Sequence, residues 1–297
     1  MAGTIVDPSR RRIGDEMTCG PLAFGCWRFA HDDLADAVGL LEHSVSSGLD
    51  LVDTADIYGA DVGGAEELLG KVLAADRSLR ERIVLATKGG IRPGVPYDSS
   101  AAALAAACEA SLGRLGVDHV DLYQVHRPDL FAHPDEVAHA LARLLADGKA
   151  RAVGVSNYTV DQYRALAHYL GPGMLVTCQP EFSAAELGPM RDGTLDWCMR
   201  DGLTPLAWSP LGGGRLATGE GVRPELLAVL DELAAREGTD RAAVALAFVL
   251  AHPSRPVALL GTQRLARIDA AVRALTVQLD RADCYRIVEA SEGEPLP

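Results

Sequence analysis

Leu49-Asp50-Leu51-Val52-Asp53, Ile83-Val84-Leu85-Ala86-Thr87-Lys88 and Val120-Asp121-Leu122-Tyr123-Gln124-Val125-His126 are short apolar runs that each close on an ionisable residue. Each reads as a buried strand. Longer helical patterns separate them. Leu34, Ala37, Val38, Leu41 and Val45 recur at helical spacing before Gly48, and an Ala-rich stretch from Ser99 to Leu115 stops at Gly116. Strands alternating with helices predict βα units and a parallel sheet. Further runs near 21–25, 152–157, 176–182, 203–208 and 256–261 bring the strands to eight, the number that closes a (β/α)8 TIM barrel.

The rest of the chain fits around that barrel. Thr4-Ile5-Val6 and Arg12-Ile13-Gly14 predict an N-terminal hairpin closing its bottom, and segments 264–276 and 281–290 are extra C-terminal helices. Asp98-Ser99 are candidate caps for the helix ending at Leu115, Pro134 opens the next helix, and Thr159 with Gln162 fits a capping box. No linker or shift in composition divides residues 1–297, which read as one domain.

Composition narrows the function. The chain has 297 residues, 48% of them hydrophobic, enough for one large core. A formal charge of −13 opposes nucleic-acid binding. No run reaches the roughly 18 apolar residues of a membrane span, and the N-terminus lacks a signal-peptide core. The expectation is a cytoplasmic protein, monomeric or a small homo-oligomer, with no membrane or nucleic-acid partner. Cysteines 19, 26, 108, 178, 198 and 284 show no paired spacing and read as reduced thiols. No CxxC or HxxxH pair exists to seed a metal site.

In a parallel barrel all strand C-termini converge on one face. Asp53, Lys88 and His126 would meet there, with Tyr58 in the loop just beyond Asp53. A tyrosine hydroxyl titrates near pH 10, and bringing that to about 7 takes roughly 4 kcal/mol of preferential phenolate stabilisation. Lys88 is the expected source of that stabilisation and Asp53 its counter-charge. His126 would orient a carbonyl oxygen or help shuttle the proton. Taken singly, each of these residues has an ordinary structural reading as a cap, a turn residue or a solvated strand tip. Their placement at successive strand ends favours proton chemistry.

Asp53-Thr54-Ala55-Asp56-Ile57-Tyr58-Gly59, Thr87-Lys88, Leu122-Tyr123-Gln124-Val125-His126 and Gly154-Val155-Ser156-Asn157 resemble, in order, the aldo-keto reductases. The resemblance runs from Gly25 to about Arg267. It implies a barrel oxidoreductase that reduces a small-molecule aldehyde or ketone with NADPH, NADH being the less favoured cofactor. Tyr58 would be the general acid, tuned by Lys88 and Asp53, with His126 positioning the carbonyl and no metal involved. Trp27, Tyr58 and His126 would contact the substrate.

The same resemblance implies a cofactor set. Gly25, Cys26 and Trp27 end the first barrel strand. Ser156, Asn157 and Gln179 would hold the nicotinamide carboxamide, and Trp208 would stack on the ring. Ser209, Leu211, Gly212 and Arg215 belong to a glycine-rich pyrophosphate loop. Gly261, Thr262, Arg264 and Arg267 open the helix after the last strand, where two arginines suit a 2′-phosphate. Gly261-Thr262 stands where many relatives have Lys-Ser, Ala271 where an Asn is frequent, and Phe182 where some have Tyr. Two other readings stay open: a pyridine-nucleotide sensor or regulatory subunit with little turnover, and a Schiff-base aldolase using Lys88.

Overall fold

The computed structural model describes residues 3–297 and is centred on a closed barrel of eight parallel strands. A short antiparallel pair precedes the barrel, β1 (Arg11–Ile13) and β2 (Met17–Cys19), with Arg12 opposite Thr18. The barrel strands are β3 (Leu22–Gly25), β4 (Leu51–Asp53), β5 (Val84–Gly89), β6 (Val120–Val125), β7 (Ala150–Ser156), β8 (Leu175–Gln179), β9 (Thr204–Ala207) and β10 (Val257–Leu260). Each pairs with the next in sequence, and β10 closes the ring on β3, with Leu259 beside Ala23.

Two apolar cores follow from the period-two alternation of strand side chains. Outward residues such as Phe24, Val52, Leu85, Val125 and Val155 pack under the surrounding helices. Inward residues Ala23, Leu51, Val84, Ala86, Leu122, Ala152, Leu206, Val257 and Leu259 fill the barrel. Ile13, Met17 and Cys19 of the hairpin join this inner cluster and plug the N-terminal end.

The hairpin forms with a different partner from the one expected. Arg12-Ile13 enters it, but pairs with β2 rather than with Thr4-Ile5-Val6. Ile5 instead donates its N–H to the Leu279 carbonyl at 2.8 Å. A tight local turn closes at a smaller entropic cost than a longer loop, and Gly14, at φ 63°, supplies the left-handed conformation there.

The helix caps follow the sequence with one correction. Ser100, not Ser99, caps Ala101–Leu115, its Oγ accepting from the Ala103 N–H at 3.3 Å. Ser99 is buried, and its N–H donates to Asp129. Pro134 stands in the first turn of Pro134–Ala146, and both bonds of the Thr159–Gln162 capping box are made. After β10 come helix Leu265–Val272, a 3-10 turn at Arg273–Thr276 and helix Arg281–Glu292. Among the described residues no helix is long and apolar enough to cross a membrane.

Candidate active site

The inward parity of the lower barrel continues upward into polar residues. Asp53 follows Leu51, Lys88 follows Ala86, and Gln124 follows Leu122, each two positions along its strand. The register sets Asp53 beside Ala86 and Lys88 beside Gln124. Asp53, Lys88, Gln124 and His126 are all buried. The inner face is therefore apolar at the bottom and ionisable at the top.

Lys88 is 0% exposed and donates from Nζ to Asp53 Oδ2 at 2.6 Å and to the Thr54 carbonyl at 2.7 Å. Burial alone would drive its proton off, but the charge of Asp53 and the adjacent Tyr58 outweigh burial and hold its pKa above the ordinary lysine value. Lys88 is thus an ammonium sealed in the barrel mouth. Its Nζ lies 5.0 Å from the centroid of the Tyr58 ring.

Tyr58 corrects one expectation. Burial raises its pKa, and the charge and hydrogen bond of Lys88 pull it back only partly while Asp53 adds to the rise. The phenol accordingly stands above its ordinary value rather than near neutrality. His126 packs edge-on against Tyr58, with centroids 5.6 Å apart at 79°. Burial, with help from Lys88 and Arg127, lowers the His126 pKa to about 2, so the ring is neutral. The neutral ring suits the first of the two roles expected of His126, orienting a carbonyl oxygen. Its Nδ1 is buried with no protein partner.

The residues expected to seat a nicotinamide are bonded to one another. Gln179 donates from Nε2 to Asp53 Oδ1 at 3.1 Å. Its backbone carbonyl accepts from Ser156 Oγ at 3.0 Å and from the Asn157 N–H at 3.1 Å. Trp208 donates from Nε1 to Asn157 Oδ1 at 3.0 Å. Asn157 and Ser209 adopt left-handed φ of 59° and 49° just past the ends of β7 and β9. Such strain in non-glycine residues persists where the surroundings over-determine it.

The remaining predicted positions spread around the rim. Gly25 and Cys26 are buried, and the Cys26 side chain belongs to the outer core, so only its backbone can face a ligand. Trp27 is 58% exposed, with the Arg28 guanidinium 4.6 Å from its ring centroid. Leu211 packs partly against the core, and Gly212, Gly213 and Gly214 all take positive φ. Arg215 turns back, its Nε donating to the Gly212 carbonyl at 2.9 Å. Arg264 is the N-cap of Leu265–Val272 rather than a residue within it, and Arg267 lies in its first turn. Both are exposed, no side chain caps that helix, and neither arginine forms an ion pair among the described residues. Gly261 and Thr262 lie half-buried just before it.

Two features were missed from sequence. The Thr54 carbonyl shares the Lys88 ammonium, and no side-chain signal announces a backbone acceptor. Asp56 lies buried beneath the site, where burial and the charge of Glu66 raise its pKa to about 7 despite Arg114 and Lys88. Glu66 itself is fully buried and accepts from Thr87 Oγ1 and from Arg114 Nε, the latter at 2.8 Å. Asp56 stood inside the quoted 53–59 segment, but its burial is a tertiary property.

Comparison with known proteins agrees with this geometry. Residues 21–292 match the model of the aldo/keto reductase family. The chain is 46% identical over 305 aligned positions to a 6-dehydroglucose reductase of Novosphingobium aromaticivorans, with 100% of both chains covered. It is 35% identical to a 6-dehydroglucose reductase of Agrobacterium fabrum, covering 97% of this chain and 99% of that one. A crystal structure of an aldo/keto reductase from Klebsiella pneumoniae with NADP and acetate superposes with a TM-score of 0.81 at 28% identity, covering 98% of this chain and 97% of that one.

Proposed function

The chain belongs to the aldo/keto reductase family and is an NAD(P)H-dependent oxidoreductase, and on that footing we propose that it reduces an aldehyde with NADPH, Tyr58 giving the proton. The observation that carries the reading is the sealed Asp53–Lys88 pair set against the Tyr58 ring, beside a neutral His126. When bound, the nicotinamide supplies hydride to the carbonyl carbon. The chain's own residues handle the oxygen. His126, as neutral imidazole, donates a hydrogen bond that fixes the carbonyl and leaves no competing cation. Tyr58 keeps its proton at rest, because its pKa is raised. As alkoxide character grows on the substrate oxygen, that oxygen becomes more basic than phenolate and takes the proton. The Lys88 ammonium then stabilises the phenolate left behind.

The donor set fits a phosphorylated dinucleotide. Ser156, Asn157 and Gln179 offer amide and hydroxyl groups to a carboxamide, and Trp208 offers a face to a planar ring. The glycine run at Gly212–Gly214 permits close approach of a pyrophosphate. Arg264 and Arg267, unpaired at an uncapped helix start, suit a 2′-phosphate. For the substrate, two relatives named 6-dehydroglucose reductases support a polyhydroxy aldehyde. Arg28 and Arg127, placed over the rings of Trp27 and Trp208, would donate to its hydroxyls. We also take residues 1–297 to act as one domain.

The test is NADPH oxidation with 6-dehydroglucose and a panel of simple aldehydes and ketones, run beside Tyr58→Phe. Turnover lost in the variant, with NADPH still bound, supports the reading. Full activity in Tyr58→Phe removes the tyrosine from the chemistry. Tight NADPH binding without turnover on any carbonyl would favour a nucleotide sensor.

A further inference from the structure

We propose that Gln179 is a positioning residue for the proton-donating group as well as a seat for the nicotinamide carboxamide, so that one side chain joins the cofactor site to the Asp53–Lys88–Tyr58 relay. The inference rests on the reductase reading and extends it.

The geometry is specific. Asp53 has two carboxylate oxygens, and each is committed to one donor: Oδ2 to Lys88 Nζ at 2.6 Å and Oδ1 to Gln179 Nε2 at 3.1 Å. Both partners are buried, Gln179 at 2% exposure and Asp53 at 3%. With both oxygens held, the carboxylate plane cannot rotate, and Lys88 is aimed at Tyr58 rather than merely neutralised. Gln179 is itself fixed through its backbone, whose carbonyl accepts from Ser156 and Asn157. With Nε2 turned to Asp53, the side chain leaves Oε1 as an acceptor. That acceptor fits the NH2 of a carboxamide, so the amide orientation of the cofactor and the aim of the relay are set by the same group.

Replacement by Met keeps the volume and removes both polar ends. Asp53 Oδ1 then has no donor, the carboxylate turns, and the ammonium is less well held. The ionisable groups around Lys88 are Asp53, Tyr58, Cys26, Asp56 and His126. Of these only Asp53 bonds Gln179, so the change should reach Lys88 through Asp53.

The experiment compares wild type and Gln179→Met with two hydride donors, NADPH and its reduced 3-acetylpyridine analogue, which has no amide NH2. A residue that only held the carboxamide would lose activity with NADPH and nothing further with the analogue. We expect kcat to fall roughly tenfold or more with both donors, and the alkaline limb of the kcat profile, where the Lys88 ammonium is lost, to move to lower pH. A loss confined to NADPH, or an unmoved pH profile with the analogue, overturns the proposal. A second measurement needs no turnover: a double-mutant cycle of Gln179→Met and Asp53→Ala in urea unfolding of the free protein. Coupling of roughly tenfold in the unfolding equilibrium is expected for a direct buried contact, and additive effects reject it. An inactive wild type would thus fail the reductase reading while the cycle still decided the contact.

Discussion

The two ends of the barrel obey different rules. At the N-terminal end Ile13, Met17 and Cys19 close onto Ala23, Leu51, Val84 and Leu122, all apolar. At the C-terminal end Asp53, Lys88, Gln124 and His126 continue the same inward parity, Gln179 joins them from the end of β8, and all are equally buried. Burial at the bottom is non-directional and depends on volume. Burial at the top costs free energy wherever a charge or polar atom lacks a partner at the right angle, as His126 Nδ1 and Gln124 Nε2 do. Packing closes most of the lower end, with the buried Arg11 beside it bonded to the Asp7 and Pro256 carbonyls, whereas the upper end holds its shape through a few short bonds. Mutations at the bottom should therefore change stability and spare chemistry, and those at the top should do the reverse or both.

The largest expected break is Tyr58→Phe. Removing a positioned proton donor should lower kcat by about 10²–10⁴ with little change in thermal unfolding, measured by steady-state kinetics and calorimetry side by side. Next comes Lys88→Met, which strands Asp53 as a buried unpaired charge and should cost about 3–5 kcal/mol in urea unfolding. The double variant Asp53→Asn with Lys88→Met should recover much of that stability without activity. Recovery of both would show that the pair serves packing alone. At the other end, Ile13→Ala should cost about 2–5 kcal/mol while kcat of the folded protein stays within about twofold. A large kcat loss there would mean that the two ends are not separable.

Smaller effects sharpen the contrast. Arg267→Ala should weaken NADPH by roughly tenfold and NADH hardly at all, read by cofactor fluorescence titration. Equal losses would reject a 2′-phosphate contact. The pH dependence of stability adds a further contrast. His126, with a folded pKa of about 2, binds fewer protons folded than unfolded below pH 6.5, so it removes stability as pH falls through that value. Asp56 has the opposite sign. Its folded pKa is about 7 against 3.8 for the free group, so it removes stability as pH rises between those values. Asp56→Asn should remove the loss between pH 3.8 and about 7 and make the protein more stable than wild type at pH 8. A variant less stable than wild type at that pH would mean that Asp56 has a partner when charged.

Much of the architecture could be read in the chain. Short aliphatic runs ending on Asp53, Lys88 and His126, spaced by helical patterns, state both the strands and the face on which they end. Strand ends shifted by one to three residues, as at β7 and β8, because edges depend on which neighbour completes the ladder. Ser100 rather than Ser99 is the cap, while the Ser99 N–H bonds distant Asp129 and its Oγ is buried without a partner. Arg264 fell outside its helix because a cap position is set by backbone angles, not by charge spacing.

The sequence by itself determined the local quantities: strand and helix periodicity, the count of βα units and the order in which polar groups reach the barrel mouth. Those depend on residues a few positions apart. Only the tertiary structure decided that β1 pairs with β2, that Tyr58 rests above its ordinary pKa, that His126 is neutral and that Gln179 holds Asp53 from 126 residues away. Each of these depends on how completely water is excluded and which distant group replaces it, and burial exists only once the barrel has closed.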